Sequence, residues 1–228
     1  MGEIVEIPSN GSTVAGYLAV PESGSGPGVV VIQEWWGLVD HIKDVCDRFA
    51  ADGFVALAPD LYHGEATTEP DEAGKLMMAL NLERAARDLT GAVEALAERD
   101  ETTSGDVGVV GFCMGGGLAL WLGTLAPAQV SAVVPFYGVI PWEAAQPDYG
   151  RLRAAVQGHY GTADGFVSVD DVRALEGRLR EEGVEVEIHL YDGLDHAFFN
   201  DTRPEVYDAD AAQQAWARTI EFLRTRLG

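Results

Sequence analysis

Residues 106–122, DVGVVGFCMGGGLALWL, contain the pattern that decides the fold. The apolar run at 107–110 predicts a buried strand, and the apolar segment at 116–122 predicts a helix. Between them, residues 111–115 (GFCMG) have the spacing of a sharp strand-to-helix turn that carries a nucleophile at its tip. Cys113 takes the position that serine holds in the usual form of this turn.

The glycines of this turn have a physical explanation. A strand and a helix that meet at so tight a turn pass close to each other, so the residues two before and two after the nucleophile, Gly111 and Gly115, have to be small. The N-terminus of the following helix favours a thiolate over a thiol and can bind an oxyanion. The alternative is a glycine-rich turn around a buried, inert cysteine.

Length and composition are typical of a globular protein with a full core. The chain has 228 residues, of which 47% are hydrophobic and 23% charged. We expect one domain over residues 1–228, since we find no linker, repeat or low-complexity tract. No apolar stretch is long enough to span a membrane, and the N-terminus lacks the pattern of a signal peptide, so we expect a cytoplasmic protein.

The net charge of −22 limits the classes of partner. It argues against nucleic acid and against anionic membrane surfaces, both of which are bound by basic patches. A solubilising acidic surface is the simplest explanation of the charge. An anionic substrate would need a local basic pocket to overcome this field.

The two cysteines, Cys46 and Cys113, do not suggest a disulfide framework or a metal site. Cys46 shares one face of a predicted helix with Ile42, Val45 and Phe49, and we expect it to be a small core residue. We expect no metal and no cofactor.

Strands and helices alternate along the chain, which predicts a mainly parallel sheet with helices on both faces. The predicted strands are 3–7, 14–20, 29–33, 54–58, 107–110, 131–137, 155–161 and 184–191, and the predicted helices are 40–52, 72–99, 116–122, 169–182 and 205–227. The region 72–99 is long enough for two helices, with a break near Asn81 or Gly91.

A carboxylate and two indoles follow the third predicted strand. Glu34, Trp35 and Trp36 lie at the carboxyl end of a central strand, where open α/β sheets bind their ligands. The alternative is a packing corner filled by two tryptophans.

Three residues at the ends of successive strands form a possible catalytic set. Cys113, Asp164 and His196 occur in the chain order nucleophile, acid, histidine, and each follows an apolar strand. A thiolate can attack an acyl carbon, a histidine can accept and return the proton, and a carboxylate can orient the imidazole.

The other four histidines are weaker candidates. His41 begins a predicted helix, and His159 and His189 lie within predicted strands, where core or sheet-face positions are expected. His63 lies in a loop that could line the site.

Five short motifs together carry a resemblance to a known family. They are 33–37 (QEWWG), 111–116 (GFCMGG), 136–138 (FYG), 161–164 (GTAD) and 195–198 (DHAF). In these motifs the chain resembles the dienelactone hydrolase family of the α/β-hydrolase fold, over essentially its whole length. The resemblance implies a cofactor-free hydrolase of esters or lactones that works through a cysteine.

The resemblance also implies further roles. The glutamate at the position of Glu34 contacts the nucleophilic cysteine of the resting enzyme in this family, and the amides of Met114 and Trp35 would form the oxyanion hole. A carboxylate beside a thiol disfavours the thiolate, so a neutral resting thiol that substrate switches on would follow.

The substrate cannot be carried over from the family, because its carboxylate-binding groups are not at the matching positions. Asn200 stands where the family has an arginine four residues beyond the histidine. Residues 69–75 hold no arginine, and Gly74 takes the place of a tyrosine. Lys75 or Arg203 could substitute, so neutral and anionic esters both stay open.

The leading hypothesis is therefore a carboxylic-ester or lactone hydrolase that acts on a small molecule through a Cys113–His196–Asp164 triad. We expect a monomer rather than an obligate oligomer. One alternative is a redox-responsive or ligand-binding protein without turnover, and another is a thioesterase or peptidase. The candidate pocket residues are Trp36, Tyr62, His63, Tyr137, Phe198 and Asn200.

Overall fold

The computed structural model describes residues 2–9 and 11–228. Eight strands are present in these residues: β1 (Glu3–Ser9), β2 (Ser12–Ala19), β3 (Gly28–Ile32), β4 (Val55–Pro59), β5 (Val107–Phe112), β6 (Val130–Phe136), β7 (Ala155–Gly161) and β8 (Val186–Tyr191). They form one sheet in the order β1-β2-β4-β3-β5-β6-β7-β8. Strand β2 pairs antiparallel with β1 and β4, and all other neighbours are parallel, which confirms the predicted mainly parallel sheet.

Helices cover both faces of the sheet. They are α1 (Asp40–Ala51), α2 (Pro70–Met78), α3 (Leu82–Ala97), α4 (Met114–Leu125), α5 (Val169–Glu181) and α6 (Ala209–Leu227), with short 3-10 turns at Glu143–Ala145 and Tyr149–Arg151. Among the described residues, none of these helices is both long enough and apolar enough to cross a membrane.

Alternating side chains of β3 show how the two layers divide. Val29 and Val31 lie in one core cluster with residues of α1 and α6, whereas Val30 and Ile32 lie in another with residues of α3, α4 and α5. All five residues of β3 are buried, as expected for a parallel strand covered on both faces. Cys46 is buried in the α1 layer, as predicted.

Element ends differ from the sequence prediction where a cap decides them. The long region breaks at Asn81, one of the two predicted points, because its side chain caps α3 by accepting from the amide of Arg84 at 3.0 Å. Helix α6 begins at Ala209 and not at residue 205, because Asp208 accepts from the amide of Ala211. In β8, Leu190 is 42% exposed, so the predicted apolar face of this strand is not fully covered.

The turn between β5 and α4 has the close packing that its glycines predicted. Cys113 has φ 54° and ψ −119°, a strained conformation for a residue with a side chain. A Cβ atom on Gly111 would lie 2.0 Å from the carbonyl oxygen of Gly115. A Cβ atom on Gly115 would lie 2.5 Å from the carbonyl oxygens of Ile32 and Gln33. The elbow is therefore wedged against the end of β3.

Replacing Gly115 with alanine should destabilise the protein by about 2 kcal/mol or more, because backbone atoms at this contact have no room to move aside. Chemical denaturation of the purified variant would measure the loss. Gly177→Ala is the matched control, since Gly177 lies on the exposed side of α5 with nothing within 4 Å of the new methyl group. That variant should gain about 0.5–1 kcal/mol from helix propensity. Equal effects in the two variants would contradict the close approach described here.

Candidate active site

Cys113, Asp164 and His196 meet at the carboxyl edge of the sheet. Cys113 follows β5, Asp164 follows β7 and His196 follows β8. Nδ1 of His196 lies 2.8 Å from Oδ2 of Asp164, and the Asp164 side chain is fully buried. The other Asp164 oxygen accepts from the amides of Phe166 at 2.7 Å and Val167 at 3.0 Å. The backbone therefore fixes the carboxylate that orients the imidazole.

The electrostatics of His196 favour its charged form. Burial lowers the pKa of His196, but hydrogen bonds to Asp164 and Cys113, together with their charges, raise the pKa overall to about 10. The imidazole also packs against the rings of Tyr137 and Phe166, each with its centroid 5.0 Å away. His196 is thus placed between the thiol and the carboxylate and is ready to hold a proton.

Two backbone amides at the elbow are free to receive an oxyanion. Within residues 2–9 and 11–228, neither the amide of Trp35 nor that of Met114 has a hydrogen-bond acceptor. Met114 is the first residue of α4, whose N-terminus carries a partial positive charge. Trp35 follows β3, against which the elbow is wedged. This placement agrees with the roles that the family resemblance implies.

The Glu34 carboxylate lies beside the Cys113–His196 site, and its hydrogen bonds come from Tyr137 and Asn200. It is 1% exposed, and its carboxylate accepts from the Tyr137 hydroxyl at 3.3 Å and from Nδ2 of Asn200 at 2.7 Å. Oδ1 of Asn200 accepts from the amide and hydroxyl of Thr202, which fixes the orientation of the Asn200 amide. Among the described residues no hydrogen bond joins Glu34 to Cys113, while Cys113 lies near enough to His196 for its charge to raise the pKa of the imidazole.

Tyr137 connects this carboxylate to the catalytic edge. Burial raises its pKa well above the usual value, and the charges of Glu34 and Cys113 raise it further. The hydroxyl therefore stays protonated and donates to Glu34. Tyr137 has φ 37°, so its position is held against backbone strain.

A cavity of about 380 Å³ opens above Cys113 and His196. Its walls are mainly apolar, and Arg203 is the one charged lysine or arginine among the described lining residues. The lining consists of Trp35, Trp36, Pro70, Met77, Cys113, Met114, Tyr137, Gly138, Val139, Pro141, Phe166, Val167, His196 and Arg203. Trp36 and Tyr137 were predicted here from the sequence.

Two predicted wall residues, Tyr62 and His63, are not among the residues that line the cavity. The Tyr62 hydroxyl lies 3.3 Å from the sulfur of Met114, and burial together with the charge of Cys113 raises the pKa of Tyr62, so this hydroxyl lies close to the elbow. Nε2 of His63 lies 2.8 Å from Asp88, a buried carboxylate of α3.

Three further predictions are corrected by burial or by pairing. Phe198 is fully buried and packs on Tyr137 from the core side. Asn200 contacts Glu34 and does not line the cavity. Lys75 pairs with Glu72 at 2.6 Å on the exposed side of α2 and lies outside the cavity, whereas Arg203 lies in its wall.

Several wall residues escaped sequence analysis. Pro70 and Met77 come from α2, and Val139 and Pro141 come from the loop after β6; no strand end or motif marks them. Phe166 had a usable signal, since it follows Asp164 by two residues at a strand end. It is 75% exposed, as a residue on the rim of an open cavity would be.

The remaining histidines have structural partners. His159 is fully buried, with Nδ1 2.9 Å from the Tyr191 hydroxyl and Nε2 3.2 Å from the Thr219 hydroxyl, and its ring stacks on His189. His41 is 3% exposed. Across the described part of the chain, no group of three histidine, cysteine, aspartate or glutamate side chains could hold a metal ion.

Comparison with known proteins identifies the family. A family model described as the dienelactone hydrolase family matches residues 14–227. The chain belongs to the dienelactone hydrolase family. It is therefore a carboxylic ester hydrolase by class, and its α/β-hydrolase fold, inferred above from the order of strands and helices, is that of the family.

Relatives match this dienelactone hydrolase family member from end to end. "Protein usf" of Aquifex pyrophilus is 40% identical over 233 residues, and a provisionally named carboxymethylenebutenolidase of Aquifex aeolicus (strain VF5) is 37% identical over 233 residues; both alignments cover 100% of each chain. A crystal structure of a provisionally named dienelactone hydrolase from Klebsiella pneumoniae subsp. pneumoniae MGH 78578 has a TM-score of 0.88 and 29% identity, with 98% of each chain covered.

Replacing Asp164 with asparagine should lower the pKa of His196, because it removes a hydrogen bond and a charge that favour the imidazolium. In the parent protein, the stability due to His196 is complete below the unfolded pKa of about 6.5 and is lost as pH rises through about 10. In the variant this contribution should be smaller, and its loss should be complete at a lower pH. An NMR titration of the His196 ring and denaturation from neutral to alkaline pH would measure it. Asp195→Asn removes the same charge next to His196 as a control, and an equal shift there would count against Asp164.

Proposed function

We propose that this protein hydrolyses a small carboxylic ester or lactone, with Cys113 as nucleophile, His196 as acid and base, and Asp164 as the group that orients His196. One observation carries the proposal. Cys113 stands at a strained elbow and lines the same cavity as His196, which is itself 2.8 Å from a buried carboxylate. A cysteine kept only for packing would not need these partners.

The first half of the reaction forms a thioester. His196 takes the thiol proton, and the Cys113 sulfur attacks the ester carbonyl carbon. The negative oxygen of the tetrahedral intermediate accepts from the amides of Trp35 and Met114, which need no rearrangement to donate. As the carbon–oxygen bond of the ester breaks, the imidazolium gives its proton to the leaving alcohol.

The second half regenerates the enzyme. A water gives a proton to His196 as its oxygen attacks the thioester carbon, and the same two amides bind the second oxyanion. The carbon–sulfur bond then breaks, the carboxylic acid leaves and the proton returns to Cys113. Asp164 orients the imidazole throughout, because two backbone amides hold its carboxylate in place.

Glu34 supports this chemistry indirectly, through Tyr137. Its carboxylate positions Tyr137, whose ring packs on the imidazole of His196 at 5.0 Å. Asn200 keeps the Glu34 carboxylate turned toward Tyr137.

Replacing Cys113 with alanine should lower kcat/KM for para-nitrophenyl acetate by at least about 10³-fold, because the acyl-accepting atom is removed. Steady-state hydrolysis would measure the loss, and mass spectrometry of acid-quenched protein should detect an acyl group on Cys113 in the parent only. Cys46→Ala is the matched control, since Cys46 is fully buried in α1 and does not line the cavity.

Full activity in Cys113→Ala would overturn the mechanism. Rapid and reversible oxidation of Cys113 without hydrolysis of any activated ester would favour the redox-responsive alternative.

A further inference from the structure

The only lysine or arginine in the described wall of the Cys113 cavity is already occupied. Nε and Nη2 of Arg203 both lie 2.8 Å from the same carboxylate oxygen of Glu205. The guanidinium also lies over the Trp36 ring, 5.8 Å from its centroid. Glu205 thus holds the edge of Arg203 that would otherwise bind a carboxylate in a two-point contact.

This inference rests on the proposed function and concerns the substrate of that same site. We infer that Glu205 masks Arg203 and thereby makes the cavity selective for uncharged esters that carry an apolar, ring-sized group. Glu205 is in this sense a specificity residue, acting through Arg203 and not through contact with the reacting atoms.

The shape and polarity of the cavity support an apolar substrate. Its volume of about 380 Å³ suits an ester with one aromatic ring. Indole, thioether and proline groups from Trp35, Met77 and Pro141 surround the space next to Cys113. Phe166, 75% exposed at the rim, offers a further ring face to an entering substrate.

Charge works against an anionic substrate. The protein carries a net charge of −22, so an approaching anion meets a repulsive field. The backbone amide of Glu205 and the Arg203 guanidinium lower the pKa of Glu205, so this carboxylate is ionised at neutral pH. Arg203 and Glu205 together are neutral, and a substrate carboxylate would have to displace a partner that is only two residues away in the chain.

Three esters would test the inference: para-nitrophenyl phenylacetate and two ring derivatives of nearly equal shape, one with a para-carbamoyl and one with a para-carboxylate group. The parent protein should hydrolyse the phenyl and carbamoyl esters with a several-fold higher kcat/KM than the carboxylate. Glu205→Gln should raise the carboxylate-to-carbamoyl ratio about three- to five-fold, as expected for release of an exposed ion pair. The double variant with Arg203→Gln should lose this gain.

The matched control is Glu101→Gln. Glu101 pairs with Arg99 at 3.0 Å with the same two-residue spacing, and it follows α3, away from the residues that line the cavity. This substitution removes one negative charge without changing the site, so the carboxylate-to-carbamoyl ratio should not change. An equal rise in Glu101→Gln would show a general charge effect and overturn the masking role.

Two other results distinguish failure of the masking inference from failure of the proposed hydrolysis. If the parent protein is active through Cys113 but prefers the carboxylate ester, the masking inference is wrong and the proposed hydrolysis stands. If no ester is hydrolysed, or hydrolysis persists in Cys113→Ala, the proposed function itself fails and the inference fails with it.

Discussion

The close approach of the elbow to the end of β3 is the constraint on which the site depends. Gly115 lies so near the carbonyls of Ile32 and Gln33 that no side chain fits between them. This contact fixes the position of Cys113 relative to Trp35, whose amide belongs to a different strand end. The two amides proposed to bind an oxyanion, those of Trp35 and Met114, therefore come from separate elements. The strain at Cys113 is held because β5 is fully buried and ten of the twelve residues of α4 are buried.

Hydrogen bonds hold the two carboxylates near the thiol in place. Asp164 accepts from two backbone amides and lies 2.8 Å from the imidazole of His196, and Glu34 accepts from a phenol and an amide side chain. These partners distinguish the two carboxylates, since one faces His196 and the other faces Tyr137.

Sequence analysis recovered the parts that depend on local chemistry. Gly111 and Gly115 predicted the elbow, because a tight strand-to-helix turn needs small residues at these two positions. The positions of Asp164 and His196 after predicted strands placed them at one edge of the sheet, because parallel strands run in the same direction. Side-chain partners at long range could not be foreseen. His63 turns to Asp88 and Asn200 turns to Glu34, contacts that join residues far apart in the chain. The residues of α2 that line the cavity could not be predicted either, since the orientation of a helix depends on its packing and not on a sequence motif.

The hydrogen bond between Glu34 and Asn200 joins residues separated by 166 positions in the chain. Cys113, Asp164 and His196 lie between these two residues in the chain, on three successive segments. During synthesis on the ribosome the elbow cysteine therefore emerges well before the histidine that would take its proton. The nascent chain carries the Cys113 thiol without these neighbours, and the three side chains can come together only after the last strand of the sheet and the residues beyond it have been added.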